Sequence, residues 1–343
     1  MPEHDIIAVG ASAGGVEALK ALVEGLPANL PAAVFVVLHI PVHSPSQLPN
    51  ILSRAGALTT VHARDGAPIR RGQIYVAPPD QHLLVERGRI RVVRGPRENR
   101  HRPAVDPLFR TAALAYGPRV VGVILTGALD DGTSGLLAIK QRGGVAVVQD
   151  PDEALYAGMP RSALEHVAVD YCMPLAEIAP LLVRLTGEPS QEEGAYPMPE
   201  EMAQEARLAE MDMAALTDDD HPGTPSAFSC PECGGVLWEL RDGDLLRFRC
   251  RVGHAYNPES VLAGQSERFE EALWSALKTL EESVSLSRRL ARQAHERGQT
   301  RVAARFEQKV SDSEQRAARL REVLIKDSPA VTAESGDADQ AAA

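Results

Sequence analysis

Five apolar runs, "IIAVG", "AAVFVVLH", "QIYVAP", "VVGVILTG" and "GVAVVQD", recur through residues 1–187. Helical patterns lie between them, among them "DPLFRTAALAYG" and "TSGLLAIKQRGG". A strand that is apolar along its whole length is buried on both faces, and a parallel sheet covered by helices on both sides provides that burial. Alternation of such strands with helices predicts an α/β fold with a doubly wound, mostly parallel, Rossmann-like sheet. Residues 83–94, "LLVERGRIRVVR", break the rhythm and read as a small hairpin around Arg87 and Gly88.

The rhythm stops near residue 187. Residues 188–227 are rich in Pro, Gly, Ser and acid, which is linker composition. Charge separates at the same place. Residues 1–187 carry 18 Lys/Arg and 17 Asp/Glu, residues 188–227 carry one and 11, and residues 228–343 carry 17 and 19. The net charge of −11 thus belongs to one acidic linker, and the chain lacks the basic footprint of a nucleic-acid-binding protein. A short helix, "EEMAQEARLAEMDMAAL", is expected inside the linker, its methionines forming a weak packing face. No apolar run has the length of a membrane span, and "MPEHD" has no basic region of a secretory signal.

Three of the four cysteines fall between residues 230 and 250. Cys230-x2-Cys233 and Cys250-x3-His254 flank two strand-like runs joined at "RDGD". Knuckle-like spacing of this kind predicts a zinc-ribbon-like module over residues 228–256, with three thiolates and one imidazole around a structural zinc. Reduced, clustered thiols in turn suggest a cytoplasmic setting. From residue 257 the pattern is helical. Phe269, Leu273, Leu277, Leu280 and Val284 recur at three- and four-residue spacings, Gly298 interrupts them, and Val302, Phe306 and Val310 resume. An antiparallel helical hairpin is expected over 257–327, able to bind partner proteins, with a disordered tail over 328–343.

The first strand runs into Gly10-Ala11-Ser12-Ala13-Gly14-Gly15. Three readings of Ser12 compete. It could line a phosphate site, although the dinucleotide fingerprint wants glycine at position 12. It could be the nucleophile of a Gly-x-Ser-x-Gly elbow, where small neighbours expose a hydroxyl on a sharp turn. It could merely cap a helix. His39 closes the second strand, and Asp130 and Asp131 follow the strand in "VILTGALDDG". In an open α/β sheet these groups gather at the C-terminal edge, where a nucleophile, a base and an orienting carboxylate can meet. Ser12 on the first strand, and the order Ser, His, Asp, set the chain apart from the α/β-hydrolases.

Several separate stretches, "VGASAGG", "LHIP", "YVAPPDQHLLV", "NRHRPAVDPLF", "GVILTGALDDGTSGL" and "YAGMPRSAL", together resemble the catalytic domain of the chemotaxis receptor methylesterase family, CheB, over about residues 4–186. The resemblance implies a serine esterase that hydrolyses glutamate methyl esters on chemoreceptors, with glutamine deamidation in some members and no cofactor for catalysis. By position it implies Ser12 as nucleophile, His39 as base and Asp131, not Asp130, as the orienting acid. It also directs Arg100, His101 and Arg102 toward substrate, while Arg87, Arg89, Arg91, Arg94 and Arg97 either meet an acidic receptor or form a solvated hairpin face. Two departures stand out. Ala128 replaces the family's methionine at the expected oxyanion hole, and Leu129 replaces a glycine. Family members usually begin with a receiver domain that gates the site, whereas this resemblance begins on the first catalytic strand, so either control from elsewhere or a constitutive enzyme is expected. The competing function is a signalling scaffold that keeps the fold and binds partners through the zinc ribbon and helices.

Overall fold

In the computed structural model, residues 3–40, 46–191, 196–197, 200–209 and 223–327 are described. The expected tail over 328–343, the methionines at 211 and 213 of the expected acidic helix, and much of the acidic segment lie outside these residues. Residues up to Gly264 form one compact unit and those from Gln265 a second.

Seven strands make the main sheet of the first unit: β1 (Ile6–Ala11), β2 (Ala33–Leu38), β3 (Thr59–His62), β4 (Gln73–Val76), β7 (Val120–Ile124), β8 (Val145–Gln149) and β9 (Tyr171–Met173). Their order is β3-β4-β2-β1-β7-β8-β9, and every pairing is parallel. The hairpin of β5 (His82–Glu86) and β6 (Arg89–Val93) stands apart from it. Side chains alternate between faces along a strand. Ile6 and Ala8 join Phe35, Phe109 and Leu136 on one side, while Ile7 and Val9 join Leu19, Leu22 and Leu182 on the other. Helices α3 (Val105–Tyr116), α4 (Thr133–Gln141) and α5 (Gly158–His166) cover the first face. The second face is covered by α1 (Gly15–Glu24), α2 (Leu48–Ala55) and α6 (Leu175–Leu185). The sheet is doubly wound, as the apolar alternation predicts. All strands run the same way and the order of their addition reverses at β1, with β2 on one side and β7 on the other, so the loops after β1, β2 and β7 share one edge.

Gly10 sets how closely α3 approaches that edge. A Cβ there would lie 2.4 Å from Cγ1 of Val105, the first residue of α3.

The segment expected as a linker carries α7 (Glu200–Ala209), which packs on α3. Met202 enters the core beside the sheet, and Glu205 is only 1% exposed. The helix forms there because its apolar side has a surface to cover, and its acid has cationic partners. Strands β10 (Thr224–Ser229), β11 (Val236–Asp242), β12 (Leu245–Cys250) and β13 (Ala255–Tyr256) form a separate antiparallel sheet around Leu237, Phe248, Tyr256 and Val261. This sheet belongs to the same compact unit as the parallel one. Arg247 and Arg249 of β12 are buried against Glu205, and Arg249 also reaches Glu98.

Helix α8 (Pro258–Glu296) begins in the first unit. In the second unit its later turns pair with α9 (Thr300–Asp327) through Leu273, Leu277, Leu280, Ala317, Leu320 and Leu324. Gly298 makes the turn between the helices with φ 67°. Phe269 and Val302, read from the sequence as part of the apolar stripe, are exposed; buried alanines at 291, 294 and 303 take the places near the turn. Among the described residues no helix is long and apolar enough to cross a membrane.

Candidate active site and metal cluster

Ser12 stands between the end of β1 and the N-terminus of α1, its carbonyl accepting from the Gly15 N–H. It therefore sits at the positive end of that helix. Its Oγ lies 2.9 Å from Nδ1 of His39, the residue after β2. Nε2 of the same ring lies 2.7 Å from Oδ2 of Asp131. An ionised Asp131 only accepts, so Nε2 carries the proton and Nδ1 accepts from the Ser12 hydroxyl. The loops after three different strands thus bring the three groups into one chain of hydrogen bonds.

Asp131 is 1% exposed and fully engaged. Oδ2 accepts from the Val105 N–H at 2.7 Å as well as from His39; Oδ1 accepts from the Asp106 N–H at 3.2 Å and from Asn99 Nδ2 at 2.8 Å. The carboxylate caps α3, where the helix dipole favours a negative charge. Burial works to raise its pKa, but the bond and charge of His39, with the Val105 and Asn99 donors, hold it down at about 2. Asp106, also buried, is pushed well above the usual carboxylate range, first by burial and then by the Asp131 charge.

Asp130 points elsewhere. Its carboxylate accepts from Ser260 Oγ at 2.5 Å and from the Glu259 and Ser260 N–H groups at the start of α8. Burial raises its pKa to about 6 against those bonds. The two neighbouring acids of "LDDG" therefore serve two different structures.

His101 stacks on His39, ring centroids 3.6 Å apart and planes 12° from parallel. Burial, then repulsion from His39, lowers its pKa to about 3, so it is a neutral plate that fixes the plane of the other ring. The guanidinium of Arg102 is taken up by Asp80 and the Gly95 carbonyl. Arg100 has φ 71°, and its Cδ lies 3.6 Å from where a Cβ on Gly264 would stand. In the hairpin, Arg89 pairs with Glu86, Arg91 with Asp65 and Glu86, and Arg94 with Asp80. Arg97 pairs with Glu232. Most of this arginine-rich stretch is thus matched by the chain's own acids.

Ala128 is exposed beside the site, and Gly127 lies against Ser12: a Cβ on Gly127 would be 3.0 Å from the Ser12 Cβ. Leu129 adopts φ 61°, the left-handed conformation that glycine takes at low cost. The loop is pressed by Gly158, where a Cβ would lie 2.7 Å from the Leu129 nitrogen. Substituting Leu129→Gly should relieve this strain and stabilise the protein by about 1 kcal/mol, measured by urea unfolding at pH 7. An unchanged or lower unfolding midpoint would show that Leu129 packing outweighs the backbone strain.

The second cluster is Cys230, Cys233, Cys250 and His254, whose ligand atoms lie within 4.8 Å of one another. Cys233 Sγ is 3.7 Å from Cys250 Sγ, and His254 Nδ1 is 3.7 Å from Cys230 Sγ and 3.5 Å from Cys250 Sγ. A tetrahedral ion with bonds of about 2.3 Å to sulfur sets ligand separations of roughly 3.8 Å, so the four groups can hold a metal. Each knuckle is closed by backbone bonds, Gly234 N–H to the Cys230 carbonyl and Gly253 N–H to the Cys250 carbonyl. Tyr256 OH, 3.2 Å from Cys230 Sγ, supports the cluster from behind.

Sequence reasoning missed Asn99, Asp106 and Asn257. Asn99 falls in the "NRHRPAVDPLF" stretch, but nothing in its spacing distinguishes it from a surface asparagine.

Comparison with known proteins identifies the family of the first half of the chain. The CheB methylesterase family model matches residues 7–182. A Leptospira interrogans protein is 42% identical over 183 residues, 53% of this chain and 95% of its own length. Protein-glutamate methylesterase/protein-glutamine glutaminase 1 of Xanthomonas campestris is 41% identical over 187 residues, and the match spans about half of that protein, 52%. The crystal structure of the Thermotoga maritima CheB methylesterase catalytic domain superposes with a TM-score of 0.51 and 33% identity, covering 54% of this chain and 99% of that one. The family model spans residues 7–182, a range that includes Ser12, His39 and Asp131, and by it the chain belongs to the CheB methylesterase family.

Proposed function

We propose that the chain is a protein-glutamate methylesterase that hydrolyses glutamate methyl esters on methylated chemoreceptors, with glutamine deamidation as a second activity of the same site. The observation that carries this reading is the bonded series Ser12 Oγ, His39 and Asp131 at the switch edge of the sheet. Ser12 attacks the ester carbonyl while its proton passes to His39 Nδ1, and Asp131 stabilises the imidazolium that forms. The backbone N–H groups of Ala13 and Ala128, which find no protein acceptor among the described residues, are the candidate donors to the oxyanion. His39 returns the proton to the leaving methoxide and methanol departs. Water, activated by the same ring, then releases the glutamate and restores Ser12. Of the three residues assigned to substrate, Arg100 keeps that assignment; His101 and Arg102 act as supports for the base and the hairpin. Methanol release from purified methylated receptor, wild type against Ser12→Ala, tests the reading. The hydrogen-bonded series favours an enzyme over a scaffold.

We assign zinc to the Cys230, Cys233, Cys250 and His254 cluster. Four protein ligands close a tetrahedral site, so the ion's role is to hold the β10–β13 sheet. Its apolar centre is small, Leu237, Phe248, Tyr256 and Val261 beside the thiols Cys230 and Cys250, so metal binding contributes to its folding free energy. Purified protein should carry about one zinc per chain, and Cys233→Ser should lose it, by elemental analysis. Stoichiometric zinc in Cys233→Ser would disprove the ligand set. Clustered, reduced thiols support the reading of a cytoplasmic protein, and the α8–α9 hairpin is the surface we assign to partner proteins.

A further inference from the structure

The C-terminal module reaches the carboxylate that orients the base. Asn99, 2% exposed, donates from Nδ2 to Asp131 Oδ1 at 2.8 Å and to Asp106 Oδ2 at 2.7 Å. Its backbone is left-handed, φ 49°, a conformation that persists only where the surroundings enforce it. Those surroundings come from beyond residue 250. The Asn99 N–H donates to the Ala255 carbonyl at 2.8 Å, and the Ala255 N–H donates to the Arg97 carbonyl at 3.3 Å. Asn99 Oδ1 accepts from the Asn257 N–H at 2.8 Å. That bond decides which end of the Asn99 amide faces Asp131: a flipped amide would set its oxygen against a carboxylate.

Asn257, itself 2% exposed, completes the cluster with its side chain. Nδ2 donates to the Asp130 carbonyl at 2.8 Å and to Asp106 Oδ2 at 3.3 Å. The residues that follow it, Glu259 and Ser260, hold the Asp130 carboxylate. The loop that carries Asp131 is therefore gripped at its preceding residue by the start of α8. Asp131 itself is gripped through Asn99.

We propose that Asn257 is a positioning residue of the esterase site: its side-chain N–H groups hold the Asp130 backbone and the Asn99–Asp106 pair that aim Asp131 at His39. The proposal rests on the esterase reading of Ser12, His39 and Asp131, and it makes the zinc-held module a working part of that site. Alanine at 257 removes both donations and leaves the backbone contacts. Aspartate at 257 keeps the shape but sets a carboxylate oxygen against the Asp130 carbonyl, which can only accept. A residue that only fills space would make aspartate the milder change; a donor makes it at least as damaging as alanine.

The test uses the full chain with its metal. Asn257→Ala should lower kcat for methanol release about 10- to 100-fold, the loss typical of removing an outer partner that orients a site group. KM should stay within about twofold. Asn257→Asp should fall at least as far. The low-field proton resonance of the His39 Nε2–H, kept from solvent by its bond to Asp131, should be lost in both variants while zinc content and hydrogen-exchange protection of β11 and β12 persist. If Asn257→Ala loses its zinc, the wild-type chain after chelation gives the same comparison: the resonance should vanish while β1 and β7 stay protected. Retention of the resonance, in the metal-bound variants or in the chelated wild type, overturns the proposal, as does a kcat within twofold of wild type. A wild type that releases no methanol, yet shows a resonance that Asn257→Ala abolishes, sinks the substrate reading and supports the positioning role.

Discussion

Ser12→Ala is expected to lower methanol release from methylated receptor by about a millionfold, and His39→Ala by a similar factor. Groups that act as a unit are not additive, so the double variant should be no worse than either single one. Asp131→Asn is expected to fall by about 10⁴-fold. That substitution retains an acceptor for the His39 Nε2–H, but its amide group can also face the ring with a donor, and the charge that stabilises the imidazolium is gone. Asp131 is held at about 2 and His101 at about 3, so neither changes charge between pH 5 and 8. Ser12→Ala retaining more than about one part in a thousand of the wild-type rate would exclude a serine nucleophile, because the oxyanion donors and substrate binding alone leave only a small residue of catalysis.

The interior of the fold was legible because burial on both faces leaves no polar positions. β1, β2, β4, β7 and β8 are the runs that stand out in the sequence, and they are the inner strands of the sheet. The two edge strands, "TTVH" and "YCM", have one side unpaired and are short, so their composition does not separate them from loops. Ser12, His39 and Asp131 were legible for a related reason: each follows an apolar run directly, and parallel topology carries all such positions to one edge. The supports were not. Asn99 and Asn257 are 158 positions apart, and a polar residue that closes a buried network reads like one that faces water. The acidic segment shows the same ambiguity most clearly. Eleven acids over residues 188–227 describe a solvated linker, yet Glu205 lies among three arginines drawn from α3 and β12.

Glu205 should therefore be among the most sensitive positions outside the active site. It lies 3.4 Å from Arg110, 2.7 Å from Arg247 and 2.9 Å from Arg249, with all three side chains at most 7% exposed. Glu98 shares Arg110 and Arg249, and Asp242 pairs with Arg247. Three buried guanidiniums thus face three carboxylates, and removing Glu205 leaves one cation without a counter-charge in a buried junction. Breaking a buried pair from one side costs about 3–5 kcal/mol, so Glu205→Ala should lower the unfolding midpoint of the first unit by roughly 10 °C. The pH dependence follows from the same contacts. Burial tends to raise the Glu205 pKa, but Arg247 and Arg249 outweigh it and hold it well below the usual value. Its stabilisation is complete above an unfolded pKa of about 4.3 and is lost as pH falls from there toward the folded value. Wild type should therefore lose stability more steeply than Glu205→Ala below about pH 4.3, and the two should converge in acid. Urea unfolding at pH 7 and at successive steps down to pH 3 measures both effects. A Glu205→Ala protein within 1 kcal/mol of wild type at pH 7, or one whose stability falls in parallel with wild type in acid, would mean that water reaches the junction and screens its charges.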